Sequence, residues 1–246
     1  MRNFLFLILI VFASCKQKNI PLTAQEIIDK AIIASGSDKI SNSKIEFNFR
    51  DKTYSANRNK GLFKLVRMFK EDSILIKDEL SNNGFKRFKN DELSNIPDSM
   101  AIKYTGSVNS VHYFSVLPFG LNDKAVQKKL LKETKVKKQP YYKVKISFTQ
   151  DGGGEDFEDV FIYWINKETF TVDYLAYSYH TGEGGKRFRE SKNVRIVNGI
   201  RFADYNNYKP KNTAAKLENL DKAFENNELI KLSEINLENV KVEILN

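Results

Sequence analysis

The sequence has few of the residues that carry metal or redox chemistry. Its 246 residues include a single cysteine, Cys15, and two histidines, His112 and His180. Two histidines cannot supply the three protein ligands of a catalytic zinc site, and neither lies in an H-E-x-x-H pattern. A lone cysteine cannot form an internal disulfide. We therefore expect no metal and no other cofactor.

Signatures of catalysis are also scarce. The chain contains no G-x-S-x-G serine elbow. A lysine Schiff-base enzyme of the aldolase type would show the strand–helix alternation of a parallel barrel, and this sequence does not. His180 follows a strand-like segment and could act as a general base, but a structural position at the rim of a site is the favoured interpretation. The sequence thus indicates a protein that is not an enzyme.

No apolar run is long enough for a membrane-spanning helix, which needs about 20 residues. Near the start, Arg2 precedes the nine apolar residues Phe4 to Phe12, and Ala13-Ser14-Cys15 follows. This order is typical of a signal peptide. The cysteine after small residues resembles a bacterial lipobox, although Phe12 stands where leucine is usual. We predict a signal peptide over residues 1–14 and a lipidated tether over 15–22, with Cys15 as the lipidated residue.

A lipidated Cys15 determines where the protein would reside. Several acyl chains would hold it on a membrane almost permanently, since each buried methylene contributes about 0.8 kcal/mol. Lys16-Gln17-Lys18 does not resemble the acidic surface-export signal of some bacteria. We therefore predict a lipid-anchored protein of the cell envelope, on the periplasmic face of the outer membrane. The alternative is that Cys15 is a buried thiol in an ordinary N-terminal helix.

The net charge of +9 and the pI near 9.3 bear on possible partners. The basic residues are spread along the chain, and an exported protein does not meet nucleic acid. We expect no nucleic-acid partner. Attraction to an anionic membrane surface and a plainly solvated basic surface both remain open.

Hydrophobic periodicity predicts an α+β fold. Thr23 and Glu26 form a capping-box pattern that opens a helix over 23–35, and Gly36 ends it. From Lys44 onward the apolar residues mostly alternate, and a short internal helix is expected near 121–131. Together these features predict a large curved antiparallel sheet, a half-barrel, in a single domain over 23–246. The strand-like segments lie at 52–57, 62–70, 73–78, 85–89, 100–105, 141–149, 160–165, 171–180, 187–190, 193–197, 200–208 and, as a final pair, within 229–245.

The segment Val160–Ile165 has two apolar faces, Val160/Ile162/Trp164 and Phe161/Tyr163/Ile165. A strand buried on both sides needs a cover on each face. One face is expected to pack on the N-terminal helix. The other either lines a cavity for a hydrophobic ligand or is filled by protein side chains.

Several stretches resemble an uncharacterised family of bacterial lipoproteins, domain of unknown function family 6503. They are SVNSVHYF from Ser107, LPFGLND from Leu117, GGGED from Gly152, Tyr163-Trp164, AYSYH from Ala176 and RFRE from Arg187. The family implies no known activity. The layout is also similar to the LolA-like lipoprotein carriers, which hold acyl chains in a half-open barrel. That likeness concerns architecture and does not establish function.

The candidate ligand site combines aromatic residues with two arginines. In Arg187-Phe188-Arg189 both guanidinium groups share one strand face. They could receive a phosphate or carboxylate head group. The alternative is pairing with the acidic loop 151–159, in which a calcium site is a less favoured interpretation than a solvated turn. Tyr113, Phe114, Phe161 and Trp164 are predicted to line the cavity, with Arg187, Arg189 and His180 at its polar rim. Tyr177 is a further candidate ligand residue, expected beside the two guanidinium groups.

The sequence therefore favours a membrane-anchored, non-catalytic protein that binds a lipid or another amphipathic molecule. The alternative is a structural or interaction lipoprotein whose sheet is filled. An apolar cavity above roughly 300 Å³ would distinguish the first from the second.

Overall fold

The structure is a computed structural model that describes residues 21–154, 156–180 and 182–245. The predicted signal peptide, the lipidation residue Cys15 and most of the tether lie outside the described residues. In the described part, fourteen strands form two antiparallel sheets, which are accompanied by three α-helices. None of the described helices has the length and apolar character needed to cross a bilayer.

The elements are numbered in chain order. The helices are α1 (Ala24–Ala34), α2 (Asp98–Ser115) and α3 (Leu220–Glu225). The strands are β1 (Ser43–Phe49), β2 (Lys52–Asn59), β3 (Leu62–Glu71), β4 (Ile74–Ser81), β5 (Gly84–Lys89), β6 (Glu92–Ser94), β7 (Val126–Val136), β8 (Gln139–Phe148), β9 (Val160–Asn166), β10 (Val172–Tyr179), β11 (Gly185–Val197), β12 (Ile200–Pro210), β13 (Leu229–Ile235) and β14 (Glu238–Ile244).

Each sheet has seven strands. The first has the order β14-β1-β2-β3-β4-β5-β6, and the second has the order β13-β12-β11-β10-β9-β8-β7. The sheets are curved and unclosed, so the predicted α+β fold with a large antiparallel, half-open sheet is confirmed. Its division into two sheets was not evident from the sequence, because strand periodicity does not tell which strands pair.

The chain passes from the second sheet to the first at Asn236-Leu237. We predicted that the last two strands would pair, and this is wrong: β13 pairs with β12, whereas β14 pairs with β1. Side chains of the second sheet hold the connection. The backbone N–H of Leu237 donates to Asp204 Oδ1 at 2.9 Å, and Arg195 donates to the Leu237 carbonyl. The connection therefore joins the two sheets instead of closing a hairpin.

The strand predicted at 100–105 is wrong, because these residues belong to α2. The helix follows Pro97 and extends for 18 residues, with Val108 and His112 buried one turn apart. Its sequence obscures the helical period, since Gly106 and several serines interrupt the apolar positions.

The short helix predicted near 121–131 is also wrong, because β7 begins at Val126. Leucine, lysine, glutamine and glutamate favour helices, and they dominate this segment. The strand is set by its hairpin with β8, which turns at Lys137-Lys138 with φ of 48° and 69°. Lysine is not a residue that marks such a turn. By contrast, the predicted hairpin at Asn198-Gly199 is confirmed, since Val197 pairs with Ile200.

Helix α1 forms as the sequence indicates. The Thr23 backbone N–H donates to Glu26 Oε2 at 2.8 Å, and the Glu26 N–H donates to Thr23 Oγ1 at 3.2 Å. This reciprocal pair satisfies N–H groups that a helix start leaves without partners. The apolar stripe of α1 is buried on the second sheet, where Ile27 and Ile28 join the core that contains Phe161, Tyr163 and Ile165. We call this side of the second sheet its helix face.

The opposite side of the second sheet, its back face, is filled around Trp164. Ile162 and Trp164 of β9 pack there with Phe188 of β11 and with Leu220 of α3. Trp164 is fully buried, with its ring 5.5 Å from that of Phe188. The alternative of a filled core therefore holds for the part of the back face around Trp164. A pocket of about 310 Å³ remains on that face, lined by Lys145, Val160, Ile162, Lys216, Leu217 and Glu218, and a larger pocket lies on the helix face.

Candidate functional site

A pocket of about 440 Å³ lies between the C-terminal half of α2 and the helix face of the second sheet. One wall is α2, and the sheet forms the floor. The loop that joins β8 to β9 closes one end, and Phe49 of β1 borders the pocket from the first sheet. The lining residues are Phe49, Asn109, Ser110, Val111, Tyr113, Phe114, Ser115, Phe148, Gly153, Asp156, Asp159, Phe161, Tyr177, Tyr179, Arg187, Arg189, Ala203, Tyr205, Ile235 and Leu237.

The floor is aromatic and centred on Phe161. Its ring centroid lies 5.5 Å from that of Tyr177, 6.0 Å from that of Tyr113 and 6.0 Å from that of Phe114. Such spacings are typical of interacting rings. Burial raises the pKa of Tyr113 to about 12, so this residue stays neutral and adds no charge to the floor.

Strand register brings the arginines to this floor. Tyr177 of β10 pairs with Phe161 on one side and Arg187 on the other, and Leu175 pairs with Arg189. Arg187 and Arg189 are two residues apart on β11, so they share the helix face, as predicted. Phe188 between them lies on the back face.

Arg189 is the most enclosed cation of the pocket, with 8% of its surface exposed. Its guanidinium carbon lies 3.9 Å from the ring centroid of Phe114, and its Nη2 donates to the Tyr177 hydroxyl at 3.0 Å. Its Nε is buried and has no hydrogen-bond partner in the described part of the chain. The guanidinium is thus fixed in position with donor capacity left over.

Arg187 lies nearer the open end. Its guanidinium carbon is 5.0 Å from the ring centroid of Tyr179, and its Nη1 donates to the Lys186 carbonyl at 2.9 Å. Among the described residues, no carboxylate lies within 4.0 Å of either Arg187 or Arg189. Within the described ranges, no ion pair joins these arginines to the 151–159 loop, the alternative considered from the sequence, and Glu155 of that loop lies outside the described residues.

Asp159 provides a negative group at the rim. Its side chain is 13% exposed and lies 3.7 Å, Oδ1 to Nδ1, from His180. Desolvation raises the pKa of Asp159 to about 6, the negative charge of Asp156 acts in the same direction, and His180 opposes both. His180 is itself mostly exposed and reaches the pocket only through Asp159. Among the residues that the structure describes, no group of three His, Cys, Asp or Glu side chains is placed to hold a metal.

Six of the eight candidate ligand residues line this pocket, and two do not. Tyr113, Phe114, Phe161, Tyr177, Arg187 and Arg189 come together. The expectation that Trp164 lines the same cavity is corrected: alternate residues of a strand point to opposite faces, and Trp164 points to the filled one. His180 stands outside the lining, at the rim that was predicted for it.

Sequence reasoning missed part of the lining. Asn109 and Ser110 belong to a helix that the periodicity did not reveal, and Ile235 and Leu237 flank the crossing between the sheets. Ala203 and Tyr205 are two residues apart on β12 and so share one face of the strand. This spacing was the one sequence signal that could have identified them as neighbours in the lining.

The fold and site define a class: an unclosed antiparallel sheet with a ligand-sized aromatic pocket under a helix. The chain belongs to the family of unknown function DUF6503, which matches residues 1–237, so the predicted membership is confirmed. No curated protein matches the chain.

Solved structures with this architecture come from several bacteria. A DUF1329 family protein from Desulfovibrio piger is 10% identical, with a TM-score of 0.52 over 90% of this chain and 94% of that one. A LolA superfamily protein from Nitrosomonas europaea is 13% identical, with a TM-score of 0.45 over 92% and 94%. A Vibrio parahaemolyticus domain described as an outer membrane lipoprotein-sorting protein is 10% identical, with a TM-score of 0.46 over 89% and 93%. At these identities the likeness concerns the fold alone.

Proposed function

We propose that this chain is a non-catalytic binding protein of the cell envelope whose pocket holds the apolar part of a lipid or another amphipathic molecule. The observation that carries the proposal is the aromatic pocket of about 440 Å³ on the helix face. Small-molecule sites span about 300–1,000 Å³ and combine apolar walls with a few polar groups. The aromatic floor and the two arginines fit that description.

The contrast between the faces of the second sheet favours binding over a purely structural role. On the back face, α3 covers the sheet around Trp164, with Leu220 fully buried, and a smaller pocket of about 310 Å³ remains beside Ile162 and Leu217. On the helix face, α2 leaves a space of ligand size above Phe161 and Tyr177. The proposal assigns no catalytic residue, and it gives Asp159 and His180, 3.7 Å apart at the rim, a structural role.

We also propose that Cys15 is acylated and that the protein is held on the periplasmic face of the outer membrane. The basic start, the apolar run and Cys15 in the sequence support this. The expected result is that the wild-type protein fractionates with membranes and that a Cys15→Ala variant is released. A variant that stays with the membranes would show that acylation is not the anchor.

Native mass spectrometry tests the binding proposal. The mature chain carrying Cys15→Ala is delipidated and then mixed with a lipid extract of bacterial envelopes. We expect an adduct of lipid mass. Ala203→Phe should abolish the adduct, because Ala203 is buried in the pocket lining.

Ala214→Phe is the matched control, since it adds the same ring at an exposed loop position and should leave the adduct in place. Thermal melting shows whether each variant is folded. If the delipidated protein takes up no lipid from the extract, the binding proposal fails.

A further inference from the structure

We propose that the pocket selects amphiphiles whose head group carries a single oxyanion, a carboxylate or a phosphate ester, and that Arg189 is the residue that binds this group. The inference rests on the proposed function and names the class of ligand. It follows from the surroundings of Arg189, from its orientation and from the distribution of charge along the pocket.

Arg189 is largely desolvated, since the residue is 8% exposed, and a buried charge lowers the stability of a protein unless a partner compensates it. Arg189 has no carboxylate within ion-pair distance in the described part of the chain, and its Nε has no hydrogen-bond partner there. The Tyr177 hydroxyl and the Phe114 ring are neutral groups. A ligand oxyanion would supply the missing counter-charge.

Phe114 covers the face of the Arg189 guanidinium at 3.9 Å, and the Tyr177 hydroxyl occupies Nη2 at 3.0 Å. The donors of a guanidinium lie in its plane, so stacking leaves its edge available for hydrogen bonding. That edge matches two oxygens of a carboxylate or a phosphate. Because the contacts to Phe114 and Tyr177 already fix the side chain, little further ordering is needed on binding.

The negative charge of Asp159 lies away from Arg189. Asp159 precedes Val160, which pairs with Ser178, and therefore lies level with Tyr179, whereas Arg189 pairs with Leu175. Four residues along β10 correspond to roughly 13 Å. Asp159 has His180 beside it, 3.7 Å away, and leaves the charge of Arg189 uncompensated. An uncharged head group would therefore leave Arg189 without a counter-charge, and a cationic one would add repulsion.

Arg187 differs from Arg189 in its exposure to water and in its hydrogen bonds. Arg187 is half-exposed, so water screens its charge, and its guanidinium donates to a backbone carbonyl. Removing it should weaken anion binding less than removing Arg189. Arg187→Met is therefore the matched control for Arg189→Met, because it makes the same chemical change on the same face two residues away.

The experiment compares dodecanoate, dodecanol and dodecyl phosphate by calorimetry on the delipidated mature chain with Cys15→Ala. We expect the two anions to bind at least tenfold more tightly than the alcohol. Arg189→Met should reduce that preference to about twofold or less while alcohol binding is retained. Arg187→Met should keep most of it. The melting temperature of unliganded Arg189→Met should stay the same or rise, because the variant removes an uncompensated buried charge.

Each contrary result has its own meaning. Equal affinity for dodecanoate and dodecanol overturns the inference while leaving the proposed function intact, and so does an unchanged preference in Arg189→Met. Acetate or inorganic phosphate binding as tightly as the dodecyl ligands overturns the assignment to amphiphiles, because the site would then serve a free anion. If none of the dodecyl ligands binds, the proposed function and the inference both fail.

Discussion

The network around Asp78 in the first sheet and the pocket around Arg189 in the second bury arginines in different ways. In the first sheet, Arg67 and Arg87 share Asp78, whose side chain is fully buried. Arg67 Nη2 and Arg87 Nε each lie 2.6 Å from an oxygen of that carboxylate. In the second sheet, Arg189 is equally enclosed and has no carboxylate within ion-pair distance in the described residues.

The arginines of both sites also contact helix α2. Arg67 Nη1 donates to Ser107 Oγ at 2.5 Å, and the guanidinium carbon of Arg87 lies 3.5 Å from the ring centroid of Tyr104. At the C-terminal end of the helix, Phe114 stacks on Arg189. The middle of α2 is therefore held by a charge network whose partners all belong to the protein. The C-terminal end covers a site that we propose the ligand completes.

This difference separates a fold-stabilising arginine from a ligand-binding one. When a buried cation has a carboxylate partner in the same protein, the two charges compensate each other, and removing one partner leaves an uncompensated charge. A buried cation without one is tolerated in the free protein and stabilised when an anion arrives. The following predictions test that distinction, from the largest expected effect to the smallest.

Asp78→Asn should have the largest effect. It leaves Arg67 and Arg87 buried without their shared carboxylate, which should destabilise the fold by about 4–5 kcal/mol. Urea unfolding of the Cys15→Ala chain measures the loss. Asp51→Asn is the control, because Asp51 pairs with Lys52 on the surface and its loss should leave the midpoint unchanged. If Asp78→Asn lowered the free energy of unfolding no more than the control does, the charges of Arg67 and Arg87 would not depend on Asp78 for compensation.

Trp164→Ala should come next, with a loss of about 3–4 kcal/mol from the cavity that it leaves in the back face. Dodecanoate affinity should be unchanged at temperatures where the variant is folded, because Trp164 lies on the other side of β9 from the pocket. The measurements are urea unfolding and calorimetry. Weakened binding in the folded variant would show that the two faces are not independent.

Arg58→Met tests a buried arginine of the first sheet that lies outside the pocket. Arg58 of β2 is buried, its Nη1 has no hydrogen-bond partner within the described ranges, and burial lowers its pKa to about 10. It does not line the pocket, however. Replacing its uncompensated charge by an apolar side chain should stabilise the protein by about 1–2 kcal/mol. Dodecanoate affinity should not change, and a tenfold loss would place Arg58 in the binding site.

The comparison also shows what the sequence could reveal. Two apolar faces in Val160–Ile165 correctly indicated a strand covered on both sides, and the spacing of Arg187 and Arg189 correctly indicated a shared face. Period-two patterns could not tell which face holds the pocket, since both are apolar. Nor could they show that α2 covers it, because Gly106 and the serines of α2 weaken the helical pattern that would have revealed the helix.

Asp159→Asn should change the stability by about as much as Arg58→Met, and only at high pH. The pKa of Asp159 is raised from 3.8 to about 6 in the folded protein by desolvation. The folded state therefore holds this proton more tightly than the unfolded state. The associated stability is fully present below pH 4 and is lost as pH rises through 6. At pH 8 wild type carries the penalty of an ionised, desolvated carboxylate, which the asparagine variant lacks.

We therefore expect Asp159→Asn to be more stable than wild type by about 1–2 kcal/mol at pH 8, a value that discounts the full pKa shift for partial solvent screening. The difference should shrink as pH falls and be nearly gone at about pH 3, below the unfolded-state pKa of 3.8, where Asp159 is mostly protonated in both states. Urea unfolding across this range measures it, with the exposed Asp38→Asn as a control that should show no pH-dependent difference. A constant difference from pH 4 to pH 8 would mean that the substitution acts through packing. The rim of the pocket would then be less desolvated than its floor, and Arg189 alone would set the charge preference of the site.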